Sequence, residues 1–138
     1  MATFTASAAE STAPAFYNVN GAVTRTVQRS VAVALSAGDV YQMLKVPAGA
    51  VVSDVTFVVD LFGGGNATVT IGDGNDADRY FASLSTGASG VTRMSLPAGF
   101  GYSYSAEDTI DITFSTVTSA TAVGTVRLAV TYTNGNGN

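Results

Sequence analysis

The sequence of 138 residues contains no histidine, no cysteine and no tryptophan, and only 12% of its residues are charged. Without imidazole, the chain lacks the side chain that most often serves as a general base near neutral pH. Without thiol, it has no thiolate nucleophile, no soft metal ligand and no disulfide framework. No apolar run approaches the roughly 20 residues of a membrane-spanning helix. These absences exclude most enzyme chemistries and predict a protein without a cofactor.

The charge balance is six basic against ten acidic residues, a net charge of −4, and the basic residues are scattered. A nucleic-acid partner is therefore not expected, because binding to phosphates requires a basic patch. The polar positions are mostly Thr, Ser, Asn and Gly, whose side chains cost less to bury than ions. The first seven residues carry neither a basic residue nor a hydrophobic stretch, so we expect no signal peptide. The composition predicts a surface that other proteins cover.

Apolar and polar residues alternate with a period of two from about residue 24 to residue 132, which is typical of β-strands. One face of a late strand, for example, carries Val126, Leu128, Val130 and Tyr132. In an earlier strand we expect Val40, Gln42, Leu44 and Val46 on one face, with Tyr41, Met43 and Lys45 opposite. Turn residues recur every 8–12 positions. The predicted fold is all-β: an antiparallel, jelly-roll-like β-sandwich of eight to nine strands.

The chain divides into an extended N-terminal arm (residues 1–22), a β-sandwich domain (23–133) and a flexible C-terminal tail (134–138). The arm is rich in Ala, Ser and Thr and shows no sustained period. It is either a partly disordered terminus or a segment that becomes ordered on a partner. In the second case the predicted partner contacts are Phe4, Phe16, Tyr17, Arg25 and Arg29, because aromatic residues and arginine dominate interfaces.

An acidic loop is the one cluster that suggests a metal site. Asp73, Asn75, Asp76 and Asp78 place four oxygen-bearing side chains within six residues, and calcium prefers such ligands. The spacing is not that of an EF-hand, because no Gly stands at the sixth position and no Glu at the twelfth. Asp, Asn and Gly are also the residues that form turns. The loop is therefore either a turn or a weak cation site.

Catalytic residues are not predicted. Glu107 and Asp108, together with Asp111, could in principle form the carboxylate pair of a glycoside hydrolase. Glu107 and Asp108 are expected in a solvated turn, however, and Asp111 on an open sheet face, where no carboxylate would have the raised pKa of a general acid. Tyr102 and Tyr104 alternate on a short strand, which indicates either cross-strand packing or a platform that stacks a sugar.

Four stretches resemble small β-sandwich proteins of tailed bacteriophages, in particular the head decoration or cement proteins of short-tailed phages. They are Leu44–Val52, Val69–Phe81, Asp108–Phe114 and Gly124–Tyr132. The resemblance implies a non-enzymatic virion protein on the outer capsid surface, assembled in the host cytoplasm as a homodimer or other homo-oligomer. Its implied role is to bridge neighbouring major capsid proteins and stabilise the head. Fibre domains carry similar stretches, so a fibre or adhesin module that binds host glycan, with calcium in the acidic loop, is the alternative.

Overall fold

A computed structural model describes residues 1–5, 22–31, 35–119 and 122–134, and for residues 22–31 it describes the backbone. All regular structure in these residues is β. The ten strands are β1 (Thr3–Thr5), β2 (Ala22–Val31), β3 (Asp39–Val46), β4 (Ala50–Gly63), β5 (Ala67–Asp73), β6 (Phe81–Ser85), β7 (Gly90–Arg93), β8 (Tyr102–Ser103), β9 (Asp108–Val117) and β10 (Val123–Asn134). Among the described residues, no helix has the length and hydropathy required to cross a membrane.

The strands form two five-stranded sheets. Sheet A has the order β1-β3-β9-β5-β6, and sheet B has the order β2-β10-β4-β7, with β8 also paired to β4. Apart from β1, which pairs parallel to β3, all pairings are antiparallel. The pairs β2–β10, β3–β9, β4–β7 and β5–β6 nest inside one another, as in a long hairpin folded over itself, and this arrangement is the jelly roll. The predicted fold class is confirmed.

Side chains from the inner faces of both sheets form the core. In β10 the residues predicted to share a face are buried: Val126, Leu128, Val130 and Tyr132. In β9 the alternating residues Ile110, Ile112 and Phe114 are buried in the same way. Burial follows the period of two because successive side chains of a strand point to opposite sides of the sheet. The alternating pattern therefore predicts both the strands and the face that each buries.

The face assignment in β3 was correct for Leu44, Lys45 and Val46 but wrong for the residues before them. Tyr41 and Met43 are buried together with Leu44 and Val46, while Gln42 is only half-buried. The pairing with β9 shifts register between Gln42 and Leu44, so Met43 is an extra residue in the strand. Such a β-bulge lets two consecutive side chains point to the same side. The bulge moves the inward face from the odd-numbered to the even-numbered residues.

Parts of the predicted arm and of the predicted tail form strands. Residues 3–5 of the predicted arm form β1 at the edge of sheet A, and β2 begins at Ala22. Most of the arm, including Phe16 and Tyr17, lies outside the described residues. At the other end β10 extends to Asn134, and residues 135–138 of the predicted tail are not among those described.

Candidate functional site

The acidic loop connects β5 to β6 and is organised by Asp73, the last residue of β5. Asp73 is buried, and its Oδ1 atom accepts hydrogen bonds from the backbone N–H groups of Asn75 and Asp76, each at 3.0 Å. These are the bonds of an Asx-turn, in which a carboxylate replaces a backbone acceptor. Backbone bonds between Asp73 and Asp76 close the same turn. The loop is therefore a compact turn built around a buried carboxylate.

Arg79 and three tyrosines complete the surroundings of this carboxylate. Arg79 Nε lies 2.5 Å from Asp73 Oδ2, and the Tyr104 hydroxyl donates to the same oxygen at 3.0 Å. The Tyr80 hydroxyl lies 2.7 Å from that of Tyr104, and the Arg79 guanidinium lies 3.6 Å from the ring centroid of Tyr102. We call these five residues the Asp73 cluster. Burial makes its bonds strong, because water cannot compete for the same atoms.

The pKa values of the cluster follow from these contacts. Burial alone would raise the pKa of Asp73, but the hydrogen bonds from Arg79, the Asn75 backbone and Tyr104 outweigh it and hold that pKa below its ordinary value. Burial raises the pKa of Tyr80 and of Tyr104 far above neutral pH, so both remain phenols. The cluster is therefore an ionised carboxylate with its charge neutralised by Arg79, which suits a structural role.

The four candidate metal ligands do not converge on one point. Asp73 is directed inward to Arg79, while Asn75 and Asp78 are exposed on the loop and Asp76 lies 3.7 Å from Arg79 Nη1. The part of the chain that the structure describes contains no group of three or more His, Cys, Asp or Glu side chains arranged to hold a metal ion. A cation at Asp73 would have to displace the guanidinium. The turn interpretation accounts for each of these contacts.

Asp111 is not the solvated carboxylate that its strand position predicts. It lies in the middle of sheet A, where its Cα partners are Gln42 and Gly72. The acidic loop folds back over Gly72 so closely that a Cβ added there would collide with the backbone of Asp76 and Ala77. The loop thereby covers this part of the outer face. Asp111 Oδ1 is buried and has no hydrogen-bond partner within the described residues.

The pKa of Asp111 reflects this position. Burial raises it to about 7, the carboxylates of Asp108 and Asp73 act in the same direction, and a side-chain hydrogen bond with Thr109 opposes them. Sequence reasoning named Asp111 but missed its burial. The only available signal was Gly72 inside a strand pattern, because a glycine at such a position often marks a close approach of another segment.

Charge is distributed unevenly over the molecule. Lys45 Nζ lies 3.4 Å from Glu107, and a Cβ at Gly74 would lie 3.2 Å from Asp108 Oδ1, so the acidic loop and the turn before β9 are adjacent. The end of the sandwich formed by these segments holds six acidic residues, Asp73, Asp76, Asp78, Glu107, Asp108 and Asp111, and two basic ones, Lys45 and Arg79. The other four acidic and four basic residues of the chain cancel. This acidic end therefore carries the entire net charge of −4.

The outer face that β4, β7 and β10 form in sheet B is close to neutral. Asp54 pairs with Arg93 at 3.0 Å, and Asp60 pairs with Arg127, so each of these four described charges has a partner of opposite sign. Between the pairs lie small or apolar residues such as Val58, Thr56 and Ala129, which share rows across the strands. Val91 on the edge strand β7 is 68% exposed, and Phe100 in the following turn is 70% exposed. The face combines weak charge with accessible apolar area.

The predicted partner contacts lie in different places. Phe4 stacks on Tyr41 of its own domain, with ring centroids 4.6 Å apart. Arg25 and Arg29 lie on β2, which is the edge strand of sheet B in the described part of the chain. Phe16 and Tyr17 lie outside the described residues. Of the five, only Phe4 has a described side chain, and that side chain packs within the monomer.

No protein-family model matches the sequence, and no curated protein does. Among solved structures, the fold is similar to a chain of the capsid of Ralstonia phage GP4, with a TM-score of 0.73, 19% identity and coverage of 97% of this chain and 99% of that one. A chain of the cyanophage Pam1 capsid asymmetric unit aligns with a TM-score of 0.69 at 21% identity, covering 93% and 95%. A chain of the acid-stable capsid of Helicobacter pylori bacteriophage KHP30 aligns with a TM-score of 0.61 at 16% identity, covering 86% and 92%. At these identities the likeness establishes a shared fold.

Proposed function

We propose that this chain is a non-enzymatic structural protein of a bacteriophage virion, and specifically a cement or decoration protein of the capsid. The observation that carries the proposal is the end-to-end likeness to a chain of a phage capsid, at 97% and 99% coverage with a TM-score of 0.73. Because the match includes nearly all of both chains, the jelly roll corresponds to a whole capsid component. The similar chains from Pam1 and KHP30 support the same assignment.

The surface suits such a role physically. A cement protein requires contact area more than chemistry, and the outer face of sheet B offers paired charges with apolar residues between them. Paired charges lower the desolvation cost of a contact, because no single ion is left without a partner. Weak contacts become strong when many copies bind a lattice in register. The chain would lie on the outer capsid surface, contact itself and the major capsid protein, and assemble in the host cytoplasm.

The experiment is cryo-electron microscopy of the parent particle. A density of this jelly roll that repeats over the shell and bridges neighbouring major capsid proteins is the expected result. A jelly roll found only at the tail, or absent from the particle, would overturn the assignment. The arm is tested separately by adding a chain lacking residues 1–22 to particles stripped of the protein. A chain lacking residues 135–138 is the matched control, and we expect only the first deletion to reduce binding.

A fibre or adhesin module that binds host glycan is the second candidate. One observation favours it: a groove of about 290 Å³ beside the acidic loop is lined by polar side chains and by Tyr102 and Tyr104. The ring of Tyr102 is already covered on one side by Arg79, however, and Tyr104 is buried. A glycan array probed with and without a calcium chelator separates the candidates, because chelator-sensitive binding is expected only of the adhesin.

A further inference from the structure

The N-terminal strand β1 is held by a site on β3. The site consists of Asp39 and Tyr41 on β3 and the turn before it. Asp39 is 4% exposed, and its Oδ2 atom accepts the N–H of Ser36 at 2.9 Å. Its Oδ1 atom accepts the N–H of Ala2 at 3.0 Å, 37 residues away. A buried carboxylate is thus satisfied in part by the first residues of the chain.

The other contacts between β1 and β3 are backbone hydrogen bonds and an aromatic stack. The Val40 N–H donates to the Ala2 carbonyl at 2.7 Å, and the parallel register pairs Thr3 with Val40 and Thr5 with Gln42. Phe4 stacks on Tyr41 at 4.6 Å with an interplanar angle of 20°, and Tyr41 packs edge-on against Phe114 in the core. Removing β1 would leave a buried acceptor and a core tyrosine uncovered. An empty site of this kind is unfavourable and binds a replacement strand of the same sequence.

The segment between β1 and β2 is long enough for β1 to reach the β3 strand of another copy as well as its own. Residues 6–21 separate the two strands, and sixteen residues can span at most about 53–58 Å. A compact domain of this length has a diameter of roughly 35–40 Å. A parallel pair also requires no hairpin, so the contacts of β1 are the same within a chain and between chains. Exchange of identical elements between copies therefore costs little.

We propose that β1 is an exchangeable strand, and that residues 1–5 of one copy occupy the Asp39–Tyr41 site of a second copy of this chain. The exchange links neighbouring copies through hydrogen bonds and an aromatic stack that the monomer already contains. The proposal depends on the proposed function in one respect: on a capsid shell many copies lie close together, and this high local concentration favours exchange over closure within one chain. The exchange itself is a property of the free protein and can be measured without capsids.

The absence of native cysteine makes disulfide trapping unambiguous. Two single variants, Thr3→Cys and Val40→Cys, place thiols at register partners on the accessible side of sheet A. Adjacent strands lie about 4.8 Å apart, within the range of Cα separations that a disulfide bridges. The two variants are mixed, unfolded and refolded together at increasing concentration, then oxidised. We expect a disulfide-linked heterodimer whose yield rises with concentration.

The control pair is Thr3→Cys with Thr92→Cys, because Thr92 is exposed and lies on β7 of sheet B. If β1 exchanges, we expect the Thr3→Cys and Val40→Cys mixture to yield at least about tenfold more heterodimer than this control pair. We also expect light scattering to detect dimers of the unmodified chain. The double variant Thr3→Cys/Val40→Cys measures closure within one chain. If it closes only intramolecularly at every concentration, and the mixed pair does not exceed the control, β1 remains on its own β3 and the proposal is overturned. Either result leaves the capsid experiment unaffected.

Discussion

At the scale of single residues, two aspartates of the same sheet have opposite environments. Asp73 is surrounded by donors, whereas Asp111 has a buried oxygen without one and carboxylates nearby. Asp111 directly follows Ile110 inside an alternating strand, whereas Asp73 follows Gly72 at the end of one. The difference arises because the acidic loop directs its own N–H groups and Arg79 to Asp73, joined by Tyr104 from a distant segment, while the backbone of the same loop covers the sheet beside Asp111.

We expect Asp111→Asn to stabilise the protein at pH 8 by about 2–4 kcal/mol, since the amide carries no charge to desolvate. The pKa of Asp111 is raised to about 7 in the folded state, so its protonated form contributes stability below the unfolded pKa. That contribution is lost as the pH rises through 7. At pH 4 the substitution should therefore have little effect. The measurement is urea unfolding of both chains at the two pH values, and an equal effect at both would contradict the prediction.

Asp73→Asn should destabilise the protein at pH 7 by about 3–5 kcal/mol, because breaking a buried ion pair leaves Arg79 without a counter-charge. Asp78→Asn is the matched control, since Asp78 belongs to the same loop but is exposed. For the control we expect a change within about 0.5 kcal/mol. Thermal unfolding of the three chains checks both values. Equal effects of the two substitutions would mean that the loop holds Asp73 no more firmly than Asp78.

At the scale of elements, glycine and the acidic loop set the conformation of this end of sheet A. Gly72 allows the backbone of Asp76 and Ala77 to lie directly over β5, and this close approach covers Asp111. The β-bulge at Met43 in β3 has a similar local effect, because it reverses the buried face of one strand. Gly72 is the one sequence signal for the close approach of the loop, and the bulge at Met43 leaves no signal in the alternating pattern.

Gly72→Ala should force the acidic loop away from β5, because an added Cβ would collide with backbone that cannot rotate aside. We expect a loss of roughly 2–4 kcal/mol, in the range of severe overpacking. The pKa of Asp111 should also fall toward its ordinary value as the cover opens. Gly90→Ala is the matched control, since a Cβ there meets nothing within 4 Å. Carboxyl chemical shifts across a pH titration check the pKa, and a shift curve identical to that of the unmodified chain would count against this account.

At the scale of the whole molecule, the jelly roll joins a neutral sandwich to one charged end. The core includes residues from both sheets, so loss of a loop contact weakens the fold without abolishing it. The acidic end contains the two groups with opposed pH dependence, Asp73 and Asp111. The pH profile of unfolding is therefore a property of this end.

We expect stability to be greatest near pH 4 and to decline as the pH rises from there to about 7, because in that range the folded state holds a proton on Asp111 that the unfolded state has lost. The lowered pKa of Asp73 contributes stability that is present above its unfolded value and lost as the pH falls through the folded one. The raised pKa of Asp111 contributes stability that is lost as the pH rises through about 7. Calorimetry from pH 3 to pH 9 measures the profile. Asp111→Asn should flatten its alkaline side, and a profile that rises continuously to pH 9 would refute the assignment of Asp111.

The sequence by itself determined the all-β class, the approximate number of strands and most of the buried faces. Each of these depends on neighbours two residues apart, because the side chains of a strand alternate between the two sides of a sheet. Only the tertiary structure decided that Asp73 is held by Arg79 and Tyr104, that the acidic loop covers Asp111, and that Phe4 packs on Tyr41. Most of these contacts join residues separated by more than 30 positions, and no local pattern encodes which distant segments meet. The alternation therefore specified the strands, and the packing of the folded sandwich specified the electrostatics of its charged end.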